Sequence, residues 1–165
     1  MPVPRLTLTV FMAVSLLTGC GPKKQEESAE RSDARAENRP PADFAAMVGQ
    51  GGGVTGLWQG YTMEAGGDVQ AWEGRMAGEN PKPAGRLGRD DRSRLWRLVQ
   101  EKSFLSMEPG VPGNMTYFLE VTADAKTHRV QWSDATGAGN GADTVLVELR
   151  SAFLDAFATA ASDKH

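Results

Sequence analysis

Few side chains in this 165-residue chain can take part in chemistry, and their spacing limits what that chemistry is. There is one cysteine, Cys20, and there are two histidines, His128 and His165. A Ser-His-Asp arrangement would have to use His128, since His165 ends the sequence. His128 lies in an alternating stretch that turns it toward the core beside Val121, no nucleophile elbow is near, and a hydrogen-bonded strand histidine is the expectation. Glu64, Glu73 and Glu120 are the candidates for a pair of glycosidase carboxylates. Glu120, however, has a cross-strand partner in Arg129, and isolated strand carboxylates are ordinarily solvated. Gly51-Gly52-Gly53-Val54-Thr55-Gly56 matches the dinucleotide fingerprint G-x-G-x-x-G. That motif works only where a strand meets a helix N-terminus, and the residues after it alternate like a strand. A second glycine-rich run, Gly137 to Ala142, which contains Asn140 and is flanked by Asp134 and Asp143, has donors for a weak anion or Ca²⁺ site but reads better as a flexible helix entry. No catalytic set, metal site or cofactor is expected. Trp58, flanked by Gly56 and Gly60, is the aromatic expected to stand partly exposed and to contact a partner together with Gly51, Gly52 and Gly53; packing under the N-terminal segment is the equal alternative.

The elements that must position these residues are readable from periodicity. Phe44 to Val48 reads as a short strand, followed by the glycine run. Val54 to Glu64 and Val69 to Arg75 flank Gly66-Gly67 as a hairpin. A two-residue loop there puts Tyr61 opposite Trp72, on one face with Leu57 and Met63, and turns Trp58 to the other. Asn80-Pro81-Lys82-Pro83 breaks the pattern. A helix then runs to about Lys102 with Asp90 or Asp91 as its cap and Leu95, Leu98 and Val99 buried; Phe104 and Leu105 pack past its end. A second hairpin turns at Asp124-Ala125, pairing Tyr117 with Trp132, Leu119 with Val130, Val121 with His128 and Glu120 with Arg129. Asp143 caps a last helix whose Leu146, Leu149, Phe153, Phe157 and Ala160 recur at helical spacing. The order ββαββα implies an α+β domain over residues 43–161: a mostly antiparallel sheet of four or five strands with two helices on one face, and a frayed end at residues 162–165.

Ahead of this domain the chain changes character twice. Arg5 and a run of apolar or small residues from Leu6 to Leu17 have the layout of an export signal, too short for the ~20 apolar residues that span a bilayer. Leu17-Thr18-Gly19-Cys20 resembles the lipobox of bacterial lipoproteins. That resemblance implies cleavage after residue 19, diacylglycerol on the Cys20 thiol and a membrane anchor. By analogy with lipoproteins of the enteric type, Gly21 in place of Asp favours the outer membrane of a host that has one, with the domain on the periplasmic side of the cell envelope. From Gly21 to Ala42 no side chain is more apolar than Ala or Pro, and charges of both signs alternate, so residues 20–42 read as a disordered tether. A coil of this length holds the domain about 25 Å from the lipid. Loss of a leader that carries Arg5 and no acid takes the formal charge from −3 to −4. This mildly acidic balance argues against nucleic acid. With Cys20 lipidated, no disulfide or thiolate metal site can form within the chain.

The order of Gly51-Gly52-Gly53, hairpin, helix ending near Phe104, Pro/Gly loop, hairpin with His128-Arg129-Val130 and closing helix is similar to that of emfourin-type proteins, inhibitors of thermolysin-like metalloproteases. The similarity spans about Val48 to Phe157. It implies loops that plug a protease cleft. Three roles follow: a non-enzymatic, membrane-tethered binding or inhibitory module, which is preferred; a small hydrolase or sugar-binding envelope protein; and a structural envelope lipoprotein without ligand.

Overall fold

In a computed structural model, which describes residues 39–133 and 141–162, the closing hairpin follows its sequence pattern. Strands β5 (Met115–Ala123) and β6 (Lys126–Ser133) pair antiparallel with Tyr117 opposite Trp132, Leu119 opposite Val130, Val121 opposite His128 and Glu120 opposite Arg129. Asp124 and Ala125 both take positive φ, 53° and 59°, the two-residue turn whose twist matches a hairpin. The Asp43 carboxylate caps this turn by accepting the backbone N–H groups of Asp124 (3.0 Å) and Ala125 (2.6 Å).

The N-terminal half forms a meander of β1 (Ala45–Gly52), β2 (Leu57–Met63), β3 (Asp68–Gly74) and β4 (Lys82–Arg86). β1 pairs on its other side with β5, giving one six-stranded antiparallel sheet in the order β4-β3-β2-β1-β5-β6. Two expectations are corrected here. The sheet has six strands instead of four or five, and the element order is ββββαββα. The additional strand is β4, hidden in the sequence by Pro83; as an edge strand it tolerates a residue without a backbone donor. The glycine run is also no loop at its start, because Gly49 to Gly52 continue β1.

The first hairpin has a different register from the one its Gly-Gly pair suggests. Glu64 and Asp68 close the ladder (Glu64 N–H to Asp68 O, 2.9 Å), Gly67 N–H reaches the Glu64 carbonyl (2.8 Å), and Gly67 adopts φ 93°. The loop therefore holds three residues, Ala65 to Gly67, and Tyr61 faces Ala71 while Trp72 faces Gly60. One residue of slip moves Trp72 to the opposite side of the sheet from Tyr61 and Met63.

Helix α1 (Arg89–Glu101) starts at Gly88, which offers no side-chain cap, so Asp90 and Asp91 do not cap it. They lie within its first turn, where negative charge suits the helix dipole. Leu95, Trp96 and Val99 are its buried stripe, with Leu98 at the margin; Phe104 is buried beyond its end, whereas Leu105 is exposed. Helix α2 (Gly141–Ser162) buries Leu146, Leu149, Phe153, Phe157 and Ala160, as its spacing predicts, and Asp143 lies inside it, past its first residue. Both helices join one core with the same-face strand residues Val48, Met63, Val69, Leu119, Val121 and Val130. Phe44 meets Trp96 edge-on at 5.3 Å, and Phe157 meets Tyr61 at 6.2 Å. The leader, Cys20 and most of the tether, the residues Asp134 and Asn140, most of the Gly137 to Ala142 run, and His165 lie outside the described residues.

Candidate functional site

Alternation along the strands places a row of residues across the helix-facing side of the sheet just where the apolar core stops. Glu73 stands opposite Gln59, Gln59 opposite Gln50, and Gln50 opposite Tyr117. In the row beyond it, toward the core, Lys82 stands opposite Ala71, Ala71 opposite Tyr61 and Tyr61 opposite Val48. Ala71 is a small residue ringed by large ones, and the space its side chain leaves open is not filled from above. A groove of about 470 Å³ results, its floor the backbone of β1 to β3 around Ala71 and its walls Tyr61, Gln59, Glu73 and Lys82 on the sheet and Arg150 and Leu154 on α2. This is within the usual size of small-molecule sites.

The groove is braced by a side chain from the far end of the sequence. Arg150 donates from Nη2 to Gln50 Oε1 (2.5 Å), and its guanidinium lies 4.8 Å from the centroid of the Tyr117 ring. With Oε1 of Gln50 so committed, the amide leaves its N–H donors for the groove. At the opposite wall Asn80 Nδ2 donates to the Glu73 carbonyl (3.0 Å), fixing the start of β4 against β3. The groove continues past Gln50, Gln59 and Glu73 toward the β1–β2 loop, where a second hollow of about 380 Å³ is bordered by Gly51, Gly52, Gly53, Val54 and Leu57.

The residues singled out from sequence fall on both sides of the sheet. Gly52 and Gly53 take positive φ (98° and 65°), and Gly53 N–H donates to the Asn114 carbonyl (2.6 Å), which pins the loop between β1 and β2 to the start of β5. The run Gly51 to Gly56 leads into β2 and not into a helix, so no dinucleotide turn is formed. Trp58 points to the side away from the helices, as its alternation predicts. It packs on Gly51 and beside Phe118 (5.9 Å between centroids), and the residues ahead of Arg39, under which it could alternatively pack, lie outside the described residues. Phe118 also stacks on Trp72 (6.1 Å, 20°) and carries the Arg129 guanidinium 3.9 Å above its ring. Arg129 in turn reaches Glu120 at 3.6 Å. Trp72 is 3% exposed, and its Nε1 is buried with no hydrogen-bond partner.

The catalytic candidates stay apart. His128 faces the core beside Val121, its ring edge-on to Phe104 at 5.4 Å, but its Nε2 is buried without a partner, unlike the hydrogen-bonded histidine expected. Glu120 lies on the side of the sheet opposite Glu73. Glu64 Oε1 accepts a hydrogen bond from Gln70 Nε2 (2.8 Å). Among the described residues no three His, Cys, Asp or Glu side chains are grouped to hold a metal ion, and no helix is long and apolar enough to cross a membrane.

Sequence reading missed Gln50, Gln59, Lys82 and Arg150. The signal for the first two was present: each is polar at an inward position, Gln50 two residues from Val48 and Gln59 between Leu57 and Tyr61. Lys82 depends on β4, and Arg150 on packing across the fold. Compared with protein-family models and with curated proteins, the chain matches none.

Proposed function

We propose that this chain is a lipid-anchored module of the bacterial cell envelope that binds a small polar ligand between α2 and strands β1 to β3. The observation that carries the binding role is the groove of about 470 Å³ in which Gln50, Gln59, Tyr61, Glu73, Lys82 and Arg150 converge. Few convergent polar groups around a concave site are what fixes a ligand's orientation. The anchoring role rests on Leu17-Thr18-Gly19-Cys20: diacylglycerol on Cys20 holds the protein at the membrane, with the outer membrane preferred on the strength of Gly21. Two acyl chains anchor stably where one is marginal. Labelling with an alkyne fatty acid, followed by membrane pelleting, tests the anchor: wild type carries label and pellets, Cys20→Ala does neither, and an unchanged membrane fraction in the variant overturns it. Thermal-shift screening of the full chain against small polar compounds tests the groove. A stabilising compound whose effect disappears in Gln59→Ala is the expected result.

A second reading is favoured by one observation. Val54, at the tip of the β1–β2 loop, is 105% exposed, and Leu57 beside it is 44% exposed. An apolar tip on a pinned loop suits insertion into a partner's cleft, the role that the likeness to emfourin-type inhibitors implies for a protease partner. Inhibition of a thermolysin-like protease by the full chain, lost in Val54→Asp, is the outcome this reading requires.

A further inference from the structure

We propose that the groove takes a free α-amino acid with a polar side chain, an inference that rests on the binding role given above. Lys82 stands opposite Ala71 on the edge strand, and Glu73 lies two residues farther along β3 on the same face. They are diagonal neighbours across the opening, with Cβ atoms about 7 Å apart. Among the described residues neither the carboxylate nor the ammonium is engaged by another side chain, although both line the same groove. The two charges do not neutralise each other. They bracket the space over Ala71, which a group with ammonium and carboxylate on one carbon fills: the ammonium donates to Glu73, the carboxylate accepts from Lys82. Beyond that point the lining is amide, phenol and guanidinium, from Gln50, Gln59, Tyr61 and Arg150. These are donors and acceptors for a polar side chain, with Leu154 the one large aliphatic side chain on the wall.

The groups place different demands on the ligand, so the proposal separates from its rivals. A sugar would use the amides and need neither charge. A simple anion would need Lys82 and be repelled by Glu73. A peptide would hold its two charged ends too far apart to satisfy both.

Isothermal titration calorimetry of the full chain, with the common amino acids, their N-acetyl and C-amide derivatives, their dipeptides and neutral monosaccharides as probes, tests this. At least one polar amino acid is expected to bind, with both capped forms about ten-fold weaker or worse and with Glu73→Gln and Lys82→Met each weakening it about ten-fold, the loss typical of a hydrogen bond to a charged group. Both positions are exposed, and circular dichroism of the variants checks that they fold. Binding that tolerates either cap, or dipeptides that bind more tightly than amino acids, overturns the proposal. Saccharide binding that depends on Gln59 and ignores Glu73 and Lys82 overturns it while leaving the binding role intact; no binding by any probe removes both.

Discussion

Phe153 and Phe118 are equally buried, each 0% exposed, yet Phe153 lies beneath the helices and Phe118 on the face of the sheet that they leave open. The helix-covered face hides its apolar side chains in the ordinary way, by packing two amphipathic helices over alternating strands. The open face uses its own residues. Gly49, Gly51 and Gly60 have no side chain there, and the rings of Trp58 and Trp72 lie down on them and close around Phe118. Arg129 covers what remains, and the segment after β3 reaches back so that Gly78 comes against Met47. Glycine inside a strand weakens it unless something else approaches closely; here aromatic rings do. A small second core is thus built from three absences of side chain and three aromatic rings.

The largest effects test whether the two faces are equivalent. Phe153→Ala and Phe118→Ala should each cost about 3–5 kcal/mol in urea denaturation, as for other buried phenylalanines. A loss below ~1 kcal/mol for Phe118→Ala, with Phe153→Ala costly, would show that the open face is covered but not a core.

Next in size is the glycine floor. A methyl on Gly60 would overlap the Val48 carbonyl oxygen and come 2.6 Å from Trp72 Cζ2. Gly60→Ala should therefore destabilise by about 3 kcal/mol, the upper part of the range for overpacking. Gly66→Ala, whose nearest neighbour is Asp68 Oδ2 at 3.5 Å, serves as the control and should stay within about 0.5 kcal/mol. Equal effects at the two sites would argue against ring-on-glycine packing. Smaller still is Trp72→Phe. Nε1 has no partner to lose, so the smaller ring should cost ~1 kcal/mol, well below Trp72→Ala.

The same contrast explains what could be read from the chain. The helix-covered face was legible because its signals are periodic: Leu146 to Ala160 recur at helical spacing, and the β5–β6 register follows once the turn is centred on Asp124-Ala125. The open face was not. Its aromatics come from β2, β3 and β5, and placing Trp72 there depends on one extra residue in a loop where Gly66-Gly67 suggests two. Phe118 carries no sign in the sequence that it would be buried away from the helices. The groove was legible only in part, as inward-facing glutamines, because its outline needs an unrecognised edge strand and Arg150, a hundred positions from Gln50.

Asp43 belongs to neither face, and it gives the smallest and most specific test. Its carboxylate is held below the ordinary aspartate range, chiefly by the Ala125 N–H, against an opposing cost of desolvation, and also by the N–H of Asp124. A depressed folded pKa means that this clamp is fully made above the unfolded-state value and is lost as pH falls through the lower folded one. Between those two points stability should decline on acidification, and Asp43→Asn should remove that part of the slope while leaving both cores unchanged. The readout is local: the amide protons of Asp124 and Ala125 should shift together during an acid NMR titration, with a midpoint below that of an exposed aspartate. A midpoint at the ordinary value would mean that the turn forms without Asp43, although Ala125 sits at a positive φ that alanine disfavours, and that the entry to β1 is held by the Phe44 N–H to Pro41 carbonyl bond and the burial of Phe44.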